Sequence, residues 1–174
     1  MKCLEIGPGD NPVSRHWDAL DVEPRPHVTI VARWGDEKLP FADDTYDLVY
    51  ASHVLEHIPW FKTMPALREA CRILKPGGAL EVWVPDFARI VDAFRAGRCG
   101  DDWRKHNPGG DPWYWLNGRV FAYGPEPNWH KAVFDAHALR CRLEEAGFVR
   151  IEKLRQPRGY DHGPVNLGMR GFKP

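Results

Sequence analysis

The chain has no net charge, no long apolar run and no paired cysteines, and each absence excludes a class of protein. Lys plus Arg and Asp plus Glu number 24 each over 174 residues. Such a balance offers no long-range attraction for nucleic acid or an anionic membrane. No stretch approaches the roughly 18 apolar residues of a membrane-spanning helix. The four cysteines, Cys3, Cys71, Cys99 and Cys141, have no Cys-x-x-Cys spacing. That argues against a zinc or redox motif, and with no secretory signal read at the start it predicts a reduced, cytoplasmic setting. Internal repeats and low-complexity tracts are also missing.

What remains is an ordinary globular composition, 43% hydrophobic, with eight tryptophans. The length suits one domain with a sizeable core. Apolar runs at 3–6, 18–22, 27–32, 46–52 and 79–85 predict strands, and "YDLVYAS" (46–52) reads as a strand buried on both faces. Helical spacing of Leu67, Ala70, Cys71 and Leu74 predicts a helix over 64–74, which Pro76-Gly77-Gly78 stops. Further helices are predicted over 86–97 and 135–147, the latter with Asp135 as N-cap and Gly147 beyond its end. "FVRIEKL" and "VNLGMRGFK" near the end predict two strands paired as a hairpin. Strands alternating with helices predict an α/β sheet with ligands at the strands' carboxyl ends. Residues 98–131, rich in Gly, Pro, Trp and His, read as an irregular insertion with a short helix around Trp113–Phe121.

The first strand runs directly into "EIGPGDNP". Gly7 and Gly9 allow a sharp turn and a close ligand approach without a Cβ. A dinucleotide fingerprint needs a third glycine opening a helix. Here that place holds Pro12, preceded by Asp10, and an acid there opposes a phosphate. A ligand with a cationic end suits the turn better, and a plain connector is the bland alternative. Asp21, at the end of the second strand, can accept both hydroxyls of a ribose, or can simply initiate a turn.

Strand-E-x-G-x-G, an acid after the second strand, "LPF…YDLVYASHVLEHI" and "REACRILKPGGALEVWVPD" together resemble class I S-adenosylmethionine-dependent methyltransferases. The likeness is to the small bacterial group with the methyltransferase type 11 core, strongest over 3–97. It implies a Rossmann-like, doubly wound, mostly parallel seven-stranded sheet with an antiparallel C-terminal edge strand, in one domain over 1–174. It also implies S-adenosylmethionine as cofactor. By that resemblance Glu5, Gly7 and Gly9 face its amino-acid end and Asp21 its ribose. Asp36 or Glu37 sits by the adenine, Leu39-Pro40-Phe41 lines the adenine pocket, and Ser52 and His53 border the methionine portion. The first helix must be clipped, because Gly9 and Asp21 are so close in sequence. The chain starts at the first strand, so closure of the substrate side is expected from the insertion, a second subunit or a partner.

Methyl transfer needs positioning, and a base only where the acceptor carries a proton. His53, Asp86 and His130 are the catalytic candidates. His57, one helical turn past His53, is read first as packing. The aromatics of 98–131 either stack on an acceptor, as a substrate lid, or form a local core. The expected activity is methyl transfer to oxygen or nitrogen of a small molecule or glycan. The alternative is a non-catalytic methyltransferase-like subunit acting through a protein partner, and a homodimer is a further possibility for covering the site. Nucleic acid is disfavoured, since "SHVL" stands where an Asn-Pro-Pro-Tyr-type tetrad would be. No metal is expected.

Overall fold

The computed structural model describes residues 1–36, 38–99, 109–124 and 128–174. The short apolar runs form β1 (Cys3–Ile6), β2 (Asp18–Asp21), β3 (Ile30–Val31), β4 (Tyr46–Ser52) and β5 (Leu74–Pro85). These five strands pair in parallel, whereas β6 (Val149–Leu154) and β7 (Asn166–Phe172) add an antiparallel edge. The order is β3-β2-β1-β4-β5-β7-β6, the predicted seven-stranded architecture. No helix among the described residues is long and apolar enough to cross a membrane.

The two faces of the sheet are covered differently. Side chains alternate along a strand, so Leu4 and Ile6 point one way and Cys3 and Glu5 the other. On the first face, α1 (Thr63–Ile73) and α4 (Ala136–Glu145) bring Leu67, Ala70, Leu139 and Leu143 onto Leu4, Val49, Leu80 and Val82 in one buried core. On the second face, Cys3, Leu48 and Ala79 form a small cluster with Trp17 and Phe172. Residues 8–17 form turns and no helix, as the short spacing between Gly9 and Asp21 requires. This face is correspondingly more polar. Glu5 accepts the Val13 N–H at 2.8 Å, and Glu81, 2% exposed, is clamped by Arg158 and Arg170 at 2.6 Å each. Both arginines together outweigh the effect of burial, which would raise the Glu81 pKa, and hold it below the ordinary range.

Two elements differ from their sequence patterns. The run 27–32 contracts to two strand residues, because the Val28 N–H turns back to the Arg25 carbonyl. β5 begins at Leu74 and takes in Pro76-Gly77-Gly78 as an irregularity, with a register shift opposite Tyr46 and Leu48. A Cβ on Gly78 would lie 2.9 Å from the Lys75 carbonyl oxygen, so glycine is required there.

Within the insertion, α3 (Pro112–Phe121) starts at Asp111, whose side chain accepts the Trp113 N–H, with proline in the first turn. Trp115, 1% exposed, packs with Ile90 of α2 (Phe87–Arg95), Cys99 and Val165. Trp113, Phe121 and Trp129 stay exposed. Trp103 lies outside the described residues.

Candidate cofactor cleft and adjoining pocket

The strand order reverses between β1 and β4, and a cleft of about 340 Å³ opens at their carboxyl ends. Open α/β sheets bind ligands at this switch point. Gly7 and Gly9, at φ +69° and +56°, form its floor for different reasons. A Cβ on Gly7 would come within 2.4 Å of Val54 Cγ2, whereas one on Gly9 would meet nothing within 4 Å and would project into space the cleft needs. Asp21, 8% exposed, accepts the N–H groups of Gly9 and Glu23 at 3.1 Å each, with Arg25 at 3.4 Å. Its carboxylate is thus fixed at the cleft wall.

The other expected cofactor residues divide. Asp36 lines the cleft and pairs with Lys62 and Arg33. Glu37 lies outside the described residues. Glu5 is turned from the cleft onto the Val13 backbone, and burial pushes its pKa up, with the Val13 N–H opposing. Leu39 is 1% exposed in the core rather than on the cleft wall, with its N–H on Glu69 and its carbonyl on Arg72. Ser52 ends β4 outside the cleft lining. Trp34, which pattern reading passed over, lines the cleft with its Nε1–H fixed on the Ala66 carbonyl at 2.7 Å, beside Val54 and Ile58. Its signal was an indole two residues before Asp36.

"HVLEH" follows β4. His53 holds the left-handed backbone conformation (φ +56°), which side chains other than glycine adopt rarely. Its Nδ1 lies 3.0 Å from Glu56 Oε1 and its Nε2 3.0 Å from Asn166 Oδ1. Asn166 is oriented by donating to Asp161. A 3-10 turn, Leu55–His57, then buries Glu56 to 1% exposure. Burial would raise the Glu56 pKa, but the His53, His57 and His130 imidazoles outweigh it and hold the carboxyl low. His130 is pushed down by its own burial, with Glu56 opposing.

His53 and His130 also line a second pocket of about 370 Å³, together with Arg119, Tyr160, Asp161 and His162. The His53 ring stacks on His162 at 3.8 Å between centroids. Asp86 does not reach either cavity. Its side chain caps α2 by accepting the Arg89 N–H and pairs with Arg89 Nε at 3.3 Å.

The sheet order and the cleft at its switch point define the fold of class I S-adenosylmethionine-dependent methyltransferases, and together with the methyltransferase-domain match that follows they imply S-adenosylmethionine as cofactor. More particularly, residues 4–82 match the family model of the methyltransferase domain. Over 65 residues the chain is 46% identical to an uncharacterized protein, YafE, of Escherichia coli K12, a match spanning 37% of this chain and 30% of that protein. A Thermotoga maritima structure described as an S-adenosylmethionine-dependent methyltransferase, possible histamine N-methyltransferase, superposes with TM-score 0.60 at 19% identity. That likeness covers 99% of this chain and 82% of the other. The methyltransferase SibL matches with TM-score 0.60 and 19% identity over 99% of this chain and 50% of its own. A Haloferax volcanii complex of the Trm112 methyltransferase activator with its proposed methyltransferase gives 0.58 and 16%, over 99% of this chain and 82% of that one.

The cleft fits the cofactor. The open space above Gly9, the fixed carboxylate of Asp21 and the apolar wall of Trp34, Val54 and Ile58 provide a place for a chain end, a ribose and a flat base.

Proposed function

We propose that the chain transfers a methyl group from S-adenosylmethionine to an oxygen or nitrogen of a small-molecule or glycan acceptor. The observation that carries this reading is that His53 stands in the wall of both cavities, so the cleft and the second pocket meet at one side chain. When bound, the cofactor supplies a methyl group activated by a positive sulfur. Asp21 takes the ribose hydroxyls, Gly7 and Gly9 admit the amino-acid end, and Asp36 lies by the adenine beside Trp34. Glu5 supports the glycine turn through Val13 rather than touching the ligand.

On the acceptor side, His53 is hydrogen-bonded to Asn166 through Nε2 and faces the Glu56 carboxylate with Nδ1, and it positions the junction. Burial pushes the His130 pKa down, which favours the form of its ring that offers a lone pair. Asp86 is occupied as a helix cap and takes no part in the reaction. The aromatic segment serves as the substrate lid. Tyr114, Phe121 and Trp129 line a hollow of about 460 Å³ that shares Gly118, Ala122 and Tyr123 with the second pocket, a surface suited to a sugar or planar acceptor. Isothermal titration with S-adenosylmethionine and S-adenosylhomocysteine tests the reading. Saturable binding of both is expected, and no binding of either at millimolar concentration refutes it.

A further inference from the structure

Glu56 presents an energetic problem. Its carboxylate is 1% exposed, and neither oxygen accepts a hydrogen bond from the described residues. The nearest side-chain nitrogen is His53 Nδ1, 3.0 Å from Oε1. A buried carboxylate without hydrogen bonds is costly unless a cation meets it.

Two further donors converge on it. Ligand atoms of Glu56, His57 and His130 all lie within 4.8 Å of one another. Each imidazole has one nitrogen committed to a backbone group. His57 Nδ1 faces the Trp129 carbonyl at 3.4 Å, and the His130 ring is hydrogen-bonded to the Val120 backbone. That arrangement fixes the tautomer and leaves the other nitrogen a bare lone pair, as in metal-ligating histidines. The backbone holds the three together. The N–H groups of Lys131 and Ala132 both donate to the Glu56 carbonyl, at 2.6 and 3.1 Å, and Trp60 N–H donates to the Lys131 carbonyl. His130 is thereby fastened to the turn that carries Glu56 and His57, although they are far apart in sequence.

We propose that Glu56, His57 and His130 form a binding site for a divalent transition metal of the zinc class. One carboxylate and two imidazoles are a zinc-type donor set that leaves a coordination position open. His53, beside Oε1, orients the ligating carboxylate. His57 borders the cofactor cleft and His130 the second pocket, so the ion lies between the two. On the methyl-transfer reading, the open position then selects an acceptor with an oxygen donor. A hydroxyl bound there gives its proton to solvent more readily and leaves an oxygen nucleophile.

The test uses the full chain, stripped with a chelator and titrated with Zn²⁺ and with Co²⁺ in the absence of cofactor and acceptor. One equivalent is expected to bind, with Co²⁺ giving visible bands of a low-coordinate nitrogen–oxygen site. His130→Asn and Glu56→Gln should each weaken binding at least about 30-fold, with folding checked by circular dichroism. His137→Asn, next to Cys141 on the surface of α4, should leave it unchanged. Sub-stoichiometric binding, or binding that His137→Asn abolishes and His130→Asn does not, overturns the proposal. A chain that binds S-adenosylhomocysteine but no metal refutes this site alone, whereas one that binds metal but neither cofactor form refutes the methyl-transfer reading alone.

Discussion

Replacing Gly7 by alanine should destabilise the protein through two separable effects. The left-handed backbone at φ +69° costs an alanine about 1–2 kcal/mol relative to glycine. The new Cβ would also lie 2.4 Å from Val54 Cγ2, more than 1 Å inside the roughly 3.5 Å at which carbon atoms touch. Valine has little rotamer freedom with which to yield, so overpacking adds about 1–3 kcal/mol. Val54→Ala removes the obstructing methyls at a cost of about 1 kcal/mol on its own. The double variant should therefore recover the steric part and retain the backbone part, a favourable coupling of at least about 1 kcal/mol. Gly9→Ala meets no atom within 4 Å and should show the backbone cost alone, with no coupling to Val54. Urea unfolding of the parent and five variants, the Gly9→Ala/Val54→Ala double included, measures all of these terms. If Gly7→Ala costs no more than Gly9→Ala, or if Val54→Ala adds its own cost to Gly7→Ala, the steric account is wrong.

Asp21→Asn gives up the charge offered to a ribose and sets an amide NH2 against one of the two N–H groups the carboxylate accepts, so S-adenosylhomocysteine affinity should fall about 10–100-fold and stability by about 1–3 kcal/mol; calorimetry on the folded variant decides, and an unchanged affinity removes Asp21 from the site. Glu81→Gln leaves two arginines facing a neutral partner and should cost about 3 kcal/mol at neutral pH. Because the folded-state pKa of Glu81 lies below its unfolded value, that contribution is present above the unfolded pKa and is lost as pH falls through the lower, folded one. Parent and variant unfolding curves should therefore converge on acidification, and a constant gap refutes the pairing. Asp86→Ala should lose about 1 kcal/mol with the cap of α2, most of it restored in Asp86→Asn. Cofactor binding should be the same in all three Asp86 forms, and a selective loss in both variants would return Asp86 to the site.

The strands buried on both faces were legible because their apolar runs have no other use, as in β1 and β4. The short β3 was not, since Val28 and Thr29 satisfy their backbone groups in a turn and on β2. The two glycines of the first turn were legible as a pair. What separates them, Val54 against open space, depends on a residue that β4 brings up from far along the chain. Leu39 and Trp34 show the same limit in exchange. Leu39, the first residue of a Leu-Pro-Phe run resembling an adenine wall, is drawn into the core by Glu69 and Arg72, and an unremarked indole takes the wall instead. Glu81 sits in the middle of "ALEVWVP", and its partners lie in β7 and in the loop between β6 and β7. Asp86 could have been read as a cap from Arg89 three residues on, had the strand-end position not suggested a base.

His53 has a consequence for how ligands would assemble. It lines both cavities, and its ring is flanked by Glu56, Asn166 and His162. A ligand on either side that favours one ring position alters the wall seen from the other. Thermodynamic reciprocity then requires the same factor in both directions: whatever a filled cleft does to acceptor affinity, a filled pocket does to cofactor affinity. One histidine in an unusual backbone conformation, shared by the two walls, thus predicts that cofactor and acceptor binding are coupled, with the order of loading set by which occupant first fixes the ring.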